Sequence, residues 1–111
     1  MDSDSAIAVL SALAQPSRLE CFRLLVSHEP TGLAAGEIAR RIGVPQNTMS
    51  THLAILVRAE IIQSERQSRS IVYRARLETL RDLSLFLLKD CCGGDATLCA
   101  PLIEELTASR C

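Results

Sequence analysis

Cys91, Cys92 and Cys99 fall within nine residues of one another, in the stretch Asp90-Cys91-Cys92-Gly93-Gly94-Asp95-Ala96-Thr97-Leu98-Cys99. Adjacent cysteines on a helix project about 100° apart, so both can face one ion only where the backbone unwinds. Gly93 and Gly94 permit that and let the chain turn back to bring Cys99 as a third donor. Three thiolates without a fourth ligand suit a soft, three-coordinate centre such as As(III) or Sb(III), whereas zinc prefers four donors in a tetrahedron. Two other readings stand beside this one. Cys99 with Cys91 or Cys92 can form a regulatory disulfide or a persulfide bridge, which makes a redox or reactive-sulfur switch. Alternatively the thiols are incidental at a helix end, since cysteine is often a small apolar residue. Cys21 sits at a core position of a helix and reads as packing, and Cys111 as a spectator. Five cysteines, an odd number crowded toward one end, are not a disulfide framework.

A second group is polar and uncharged. Gln46, Asn47, Thr48, Ser50 and Thr51 stand at the start of a helical segment, where a helix entering the major groove needs short polar side chains. Gln and Asn can bond adenine edges in pairs, and Thr can meet a thymine methyl group. Charge points the same way. Residues 40–76 hold seven arginines against two glutamates, a local +5 inside a chain of net −1, which fits a polyanion met by one face. Arg66 and Arg69 would reach phosphates or the neighbouring minor groove. The sequence has no Ser-His-Asp set and no Gly-rich phosphate loop, and Leu87-Leu88-Lys89-Asp90 before Cys91 reads as helix rather than as an anion-binding loop. A catalyst such as an arsenate reductase would need that loop, so the expectation is that the chain is not an enzyme.

The elements that must position these groups follow from periodicity. With 111 residues the chain is expected to form one domain, and with 48% apolar but only 3% aromatic residues its core suits helices packed on helices. Ala6–Ala14 predicts a helix with Ile7, Leu10 and Leu13 as its apolar stripe and Ser5 as its cap. A second helix runs from Pro16 or Ser17 to His28, with Leu19, Phe22 and Val26 on one side. Ala35–Ile42, the turn Gly43-Val44 and a helix over Gln46–Ala59, opened by Pro45 at its first helical position, make a helix-turn-helix with Met49, Leu53 and Leu56 inward. Ile61–Ser64 and Ser70–Arg74 are rich in β-branched residues and flank Glu65–Arg69, which predicts a β-hairpin with an arginine-bearing tip. In the long helix Leu77–Asp90, Leu83, Leu85, Phe86, Leu87 and Leu88 leave little of the last two turns polar, so it is expected to bury a second side against another copy of the chain. Pro101–Ala108 predicts a short last helix. The fold class is therefore mainly α with a small β-hairpin, arranged as helix-turn-helix plus wing over 35–76, dimerisation helix over 77–90 and thiol-bearing segment over 91–111. Met1–Ser5 lacks the basic start of a signal peptide and no apolar run reaches the length of a membrane span. The expected location is the cytoplasm, with reduced thiols and no membrane partner.

These segments resemble a known family. Leu13-Ala14-Gln15-Pro16-Ser17-Arg18-Leu19 is similar to the opening of the ArsR/SmtB family of metal-responsive repressors, Gln46 to Leu56 to its recognition helix, including Ser-x-His-Leu, and Arg66 to Arg74 to its wing. The resemblance implies a homodimeric winged helix-turn-helix repressor that uses its first and fifth helices as the interface, binds a palindromic operator in double-stranded DNA and lets go when ligand binds. It places His52 in the recognition helix, as a structural residue or a phosphate contact rather than a metal ligand. Pro45 stands where the family often has Ser, and Ser68 where the wing turn often has Gly. The family's Cys-Val-Cys-type arsenite site is absent, because Gly36-Glu37-Ile38-Ala39 holds no thiol. Its zinc site of Asp and His across the last helices is absent too, since His28 and His52 are the only histidines. Cys91, Cys92 and Cys99 resemble the arsenic-responsive members with a Cys-Cys pair after the fifth helix and a third Cys soon after. That likeness implies As(III), or Sb(III), as inducer.

Overall fold

The computed structural model describes residues 1–88 and 100–109. Its elements run α1 (Ser3–Leu13), α2 (Pro16–Ser27), β1 (Leu33–Ala34), α3 (Ala35–Ile42), α4 (Gln46–Arg58), β2 (Ile62–Gln67), β3 (Ser70–Ala75), α5 (Leu77–Leu88) and α6 (Ala100–Ser109). The fold is a mainly helical winged helix-turn-helix with a three-stranded antiparallel sheet in the order β1-β3-β2.

The first helix starts earlier than its apolar pattern suggests, because Asp2 rather than Ser5 caps it. The Asp2 carboxylate accepts the Ser5 backbone N–H at 2.8 Å, and that bond holds the carboxyl below its ordinary range. The buried face of α1 is Ala6, Val9 and Ala12, while Ile7 and Leu10 are 62% and 43% exposed. The expected stripe is thus turned outward, and only Leu13 of that set packs on the core. Small residues face inward where α1 lies on α2 and α4, and the larger ones are left on the surface. In α2 the Gln15 side chain accepts the Arg18 N–H at 2.8 Å and Pro16 occupies the first turn, where a missing N–H costs little. Cys21, Phe22 and Leu25 are buried, but Leu19, expected beside Phe22, is 46% exposed.

The short strand β1, not anticipated from the sequence, pairs Leu33 with Tyr73 and Ala34 with Val72. Gly32 makes that approach possible: its φ is +76°, and a Cβ there would lie 2.7 Å from the Tyr73 carbonyl oxygen. Gly43, at φ +82°, closes α3 by donating its N–H to the Ala39 carbonyl at 2.9 Å. Pro45 is the N-cap of α4, one position before the expected one, and supplies no side-chain bond. The helix ends in a Schellman motif: Glu60, at φ +64°, donates to the Val57 carbonyl and Ile61 to that of Leu56, satisfying carbonyls that the helix leaves open.

The hairpin keeps its pairing from Ile62↔Ala75 out to Gln67↔Ser70. Residues 65–67, expected in the tip, are therefore strand, and the turn is only Ser68-Arg69. Ser68 takes φ +58° there, a conformation that favours glycine. Helix α5 is anchored by buried Leu83 and by Thr79, whose hydroxyl donates to the Glu60 carbonyl at 2.6 Å. Met49, Leu53 and Leu56 of α4, with Leu25, Ile38, Ile61 and Ile62, centre the core. No helix among the described residues is long and apolar enough to cross a membrane.

Candidate nucleic-acid interface

The first turns of α4 project into solvent. Gln46, Asn47, Thr48, Ser50 and Thr51 are all exposed, and the inward Met49 and Leu53 fix the rotation of the helix that holds them out. Their internal bonds are local: Asn47 Oδ1 accepts the Thr48 N–H at 2.9 Å, and Ser50 Oγ donates to the Gln46 carbonyl at 3.0 Å. The hydroxyl proton of Ser50 is thus directed at its own helix, leaving its oxygen lone pairs to accept from a partner, while the amide of Gln46 lies beside Gly36 of α3. With no acidic residue in this first turn, the positive end of the helix dipole stays uncompensated, which favours a nearby phosphate.

His52 stands apart from that set. It is half-buried, with its Nδ1 3.4 Å from Arg18 Nη1, while Arg18 Nε donates to the Ala12 carbonyl at 2.6 Å. Arg18 so joins the end of α1 and the start of α2 to α4 through His52.

The arginines of the basic segment separate into two kinds. Arg40 and Arg41 pair with Glu37, Arg76 pairs with Glu60 and Glu78, and Arg74 is held by Glu29 and Glu65. Both carboxylates keep the Arg74 guanidinium firmly protonated, raised above its ordinary value through the Glu29 bond first and the Glu65 bond second. Arg66 and Arg69, at the wing tip, are exposed, and no ion pair among the described residues involves them. The local +5 read from the sequence is therefore neutralised in part by internal partners. What it offers outward is concentrated on the wing tip and on Arg58 at the end of α4. Glu29 and Arg74 lie 45 residues apart, and no sequence signal links them.

Cys21 is fully buried, and burial pushes its thiol up to about 12, as suits a packing residue. No group of three or more metal-ligating side chains occurs among the described residues. Cys91, Cys92, Cys99 and Cys111 lie outside the described residues, as do the last two residues of the expected fifth helix. Within the described part of α5, Leu85, Leu87 and Leu88 are exposed, as are Ile7 and Leu10 of α1, against which α5 packs.

The helix-turn-helix domain family HTH_20 matches residues 13–65, which run from the end of α1 through α4 into β2. The nodulation protein NolR of Rhizobium meliloti is 31% identical over 94 residues, covering 85% of this chain and 74% of that protein. The transcriptional repressor SdpR of Bacillus subtilis is 31% identical over 90 residues, 81% of this chain and 97% of the repressor. In three dimensions the homodimeric winged helix-turn-helix DNA-binding domain of Mb0332 from Mycobacterium bovis, described as a possible ArsR-family transcriptional regulator, superposes with a TM-score of 0.64. It is 26% identical and covers 77% of each chain. The chain belongs to the ArsR/SmtB family. As a family member it is a DNA-binding transcriptional regulator of the winged helix-turn-helix type rather than an enzyme. The exposed polar start of α4 is the second helix of its helix-turn-helix, and the Ser68-Arg69 turn is the tip of its wing.

Proposed function

We propose that the protein is a homodimeric repressor of a palindromic operator, released when As(III), or Sb(III), binds the thiolates of Cys91, Cys92 and Cys99. Asn47 and Gln46 would read base edges, Thr48, Ser50 and Thr51 would flank them, and Arg66 and Arg69 would hold phosphates. His52 would support the helix through Arg18 rather than touch DNA. The observation that carries the reading is one of adjacency. The three thiols follow directly on α5, whose exposed Leu85, Leu87 and Leu88 offer an apolar face. A surface of that kind favours burial against a second copy, and the homodimeric domain of Mb0332 supports the same assembly.

A ligand drawn by the three cysteines would act at the end of the dimer helices and alter the angle between the two reading helices. Half-sites about 34 Å apart tolerate little such change. A tenfold to hundredfold loss of operator affinity needs a coupling of only about 1.4–2.8 kcal/mol. Three sulfur donors without a fourth ligand match the three-coordinate chemistry of As(III), which as inducer supplies three bonds to soft donors and no catalysis. The test is fluorescence anisotropy on promoter DNA, titrated with arsenite under reducing conditions. Release that is lost in Cys91→Ser, Cys92→Ser or Cys99→Ser supports the metalloid reading. Binding that ignores arsenite but responds to a thiol oxidant would replace it with a redox switch.

A further inference from the structure

The wing projects from the sheet, and at its root one side chain ties three segments together. Strand β1 pairs with only Val72 and Tyr73 of β3, so from the Glu65↔Val72 pair outward the wing continues as a two-stranded ribbon. Such a ribbon is marginal by itself. At about 3.3 Å per residue its tip lies some 10 Å beyond Glu65, so a change of about 10° at the root moves the tip by about 2 Å, enough to break a hydrogen bond from Arg69 to a phosphate.

Arg74 sits at that root. Its Nη2 and Nε donate to the two carboxylate oxygens of Glu29 at 2.7 and 3.3 Å, and its Nη1 donates to Glu65 Oε1 at 2.7 Å. One planar guanidinium therefore ties the loop after α2, the central strand and the outer strand together. The Glu29 pair is the more shielded: the side chains of Arg74 and Glu29 are 25% and 15% exposed, against 34% for Glu65 and 74% for Arg40. Forked Arg–carboxylate pairing fixes direction as well as distance. Gly32 completes the arrangement, since a Cβ there would also lie 2.8 Å from Arg74 Cγ.

We propose that Arg74, clamped between Glu29 and Glu65, is a positioning residue that aims the wing at DNA and makes no DNA contact of its own. The inference rests on the reading that Arg66 and Arg69 meet phosphates, and it predicts an effect of unexpected sign. Removing a negative charge from a DNA-binding protein ordinarily tightens binding. Glu29→Gln removes such a charge here, yet it loosens the clamp and should weaken binding.

The experiment measures promoter affinity of the full chain against salt for Glu29→Gln, Arg74→Gln, Arg66→Ala and Arg69→Ala, at a temperature where thermal melts show every variant folded. Glu29→Gln and Arg74→Gln should each lower affinity by about fivefold to tenfold. Both should flatten the slope of log K against log salt by about 0.9 for each phosphate that the wing no longer neutralises. If Glu29→Gln binds as tightly as the parent or more tightly while Arg66→Ala weakens binding, the clamp does not aim the wing and the proposal fails alone. Weaker binding by Arg74→Gln but not by Glu29→Gln would make Arg74 a phosphate ligand and overturn the proposal in another way. If Arg66→Ala and Arg69→Ala both leave binding unchanged, the wing's role in DNA binding falls, and the clamp's with it.

Discussion

Helices α4 and α5 are of nearly equal length, 13 and 12 residues, and each buries one face in the same core. Their outer faces differ most at one end of each, for α5 exposes Glu78, Arg81 and Ser84 along its length but only leucines in its last turn. Helix α4 shows amides and hydroxyls at its N-terminal end, and α5 shows Leu77, Leu85, Leu87 and Leu88. A polar, uncharged outer face at a helix N-terminus is suited to base edges and phosphates, because each donor or acceptor is satisfied in water until a matched partner replaces it. An outer face of leucines has no such equilibrium with water, and about 25 cal/mol per Å² favours its removal from solvent. The two helices share a scaffold, and on the proposed reading they divide its partners by chemistry: nucleic acid for one, a second copy for the other.

The comparison breaks most visibly at α5. Leu85→Glu, at a side chain 61% exposed, costs the monomer fold little but places a charge in the expected dimer face. Operator binding should fall by about a hundredfold or more as bivalency is lost. Sedimentation velocity should show a monomer, and a variant that stays dimeric with full affinity would remove α5 from the interface. The next effect lies on α4. Asn47→Ala should cost about 1–3 kcal/mol on the preferred operator and relax discrimination at one base pair. Arg69→Ala should instead weaken all sequences alike and lower the salt slope by about 0.9. Equal losses on specific and random DNA for Asn47→Ala would mean that α4 does not read bases.

Cys21 tests the core that both helices share. Its thiol is pushed up to about 12 from the free value of 9.0 by burial, so the fold favours the protonated form. Stability from this residue is complete below pH 9 and declines as pH rises toward 12. Alkylation at pH 8 should leave Cys21 unmodified until denaturant is added, which mass spectrometry can follow. Modification at the rate of a free thiol would contradict its burial. The smallest effect belongs to the wing tip. Ser68→Gly removes a side chain from a positive-φ position and should stabilise the fold by up to about 1 kcal/mol. A melting temperature that drops would show that the Ser68 hydroxyl supports the turn.

Much of this division is legible from residue types and spacing. The period of Met49, Leu53 and Leu56 determines which side of α4 is buried and hence that Gln46, Asn47, Thr48, Ser50 and Thr51 face outward. The change to β-branched residues after Ala59 marks the wing, and Gly43 marks the turn between α3 and α4. These are local signals, set by the helical repeat of 3.6 residues, the strand repeat of two, and the steric freedom of glycine. A local signal also misleads at α1. Its pattern offers both Ile7 with Leu10 and Ala6 with Val9 and Ala12, and the first pair is the more hydrophobic, yet the second is the one buried.

Residue order thus specifies the elements, their succession and the chemistry of the exposed start of α4. Packing between distant segments selects which face of α1 turns inward, makes Leu33 and Ala34 a third strand, and leaves only some arginines available to a partner. The cause is separation along the chain. The Ala6 face goes inward because α2 and α4 meet α1 there, and β1 exists because β3 lies alongside it. Arg74 is engaged because folding brings Glu29, 45 residues away, to within 2.7 Å of its guanidinium. Each outcome depends on a partner that no local window of sequence contains.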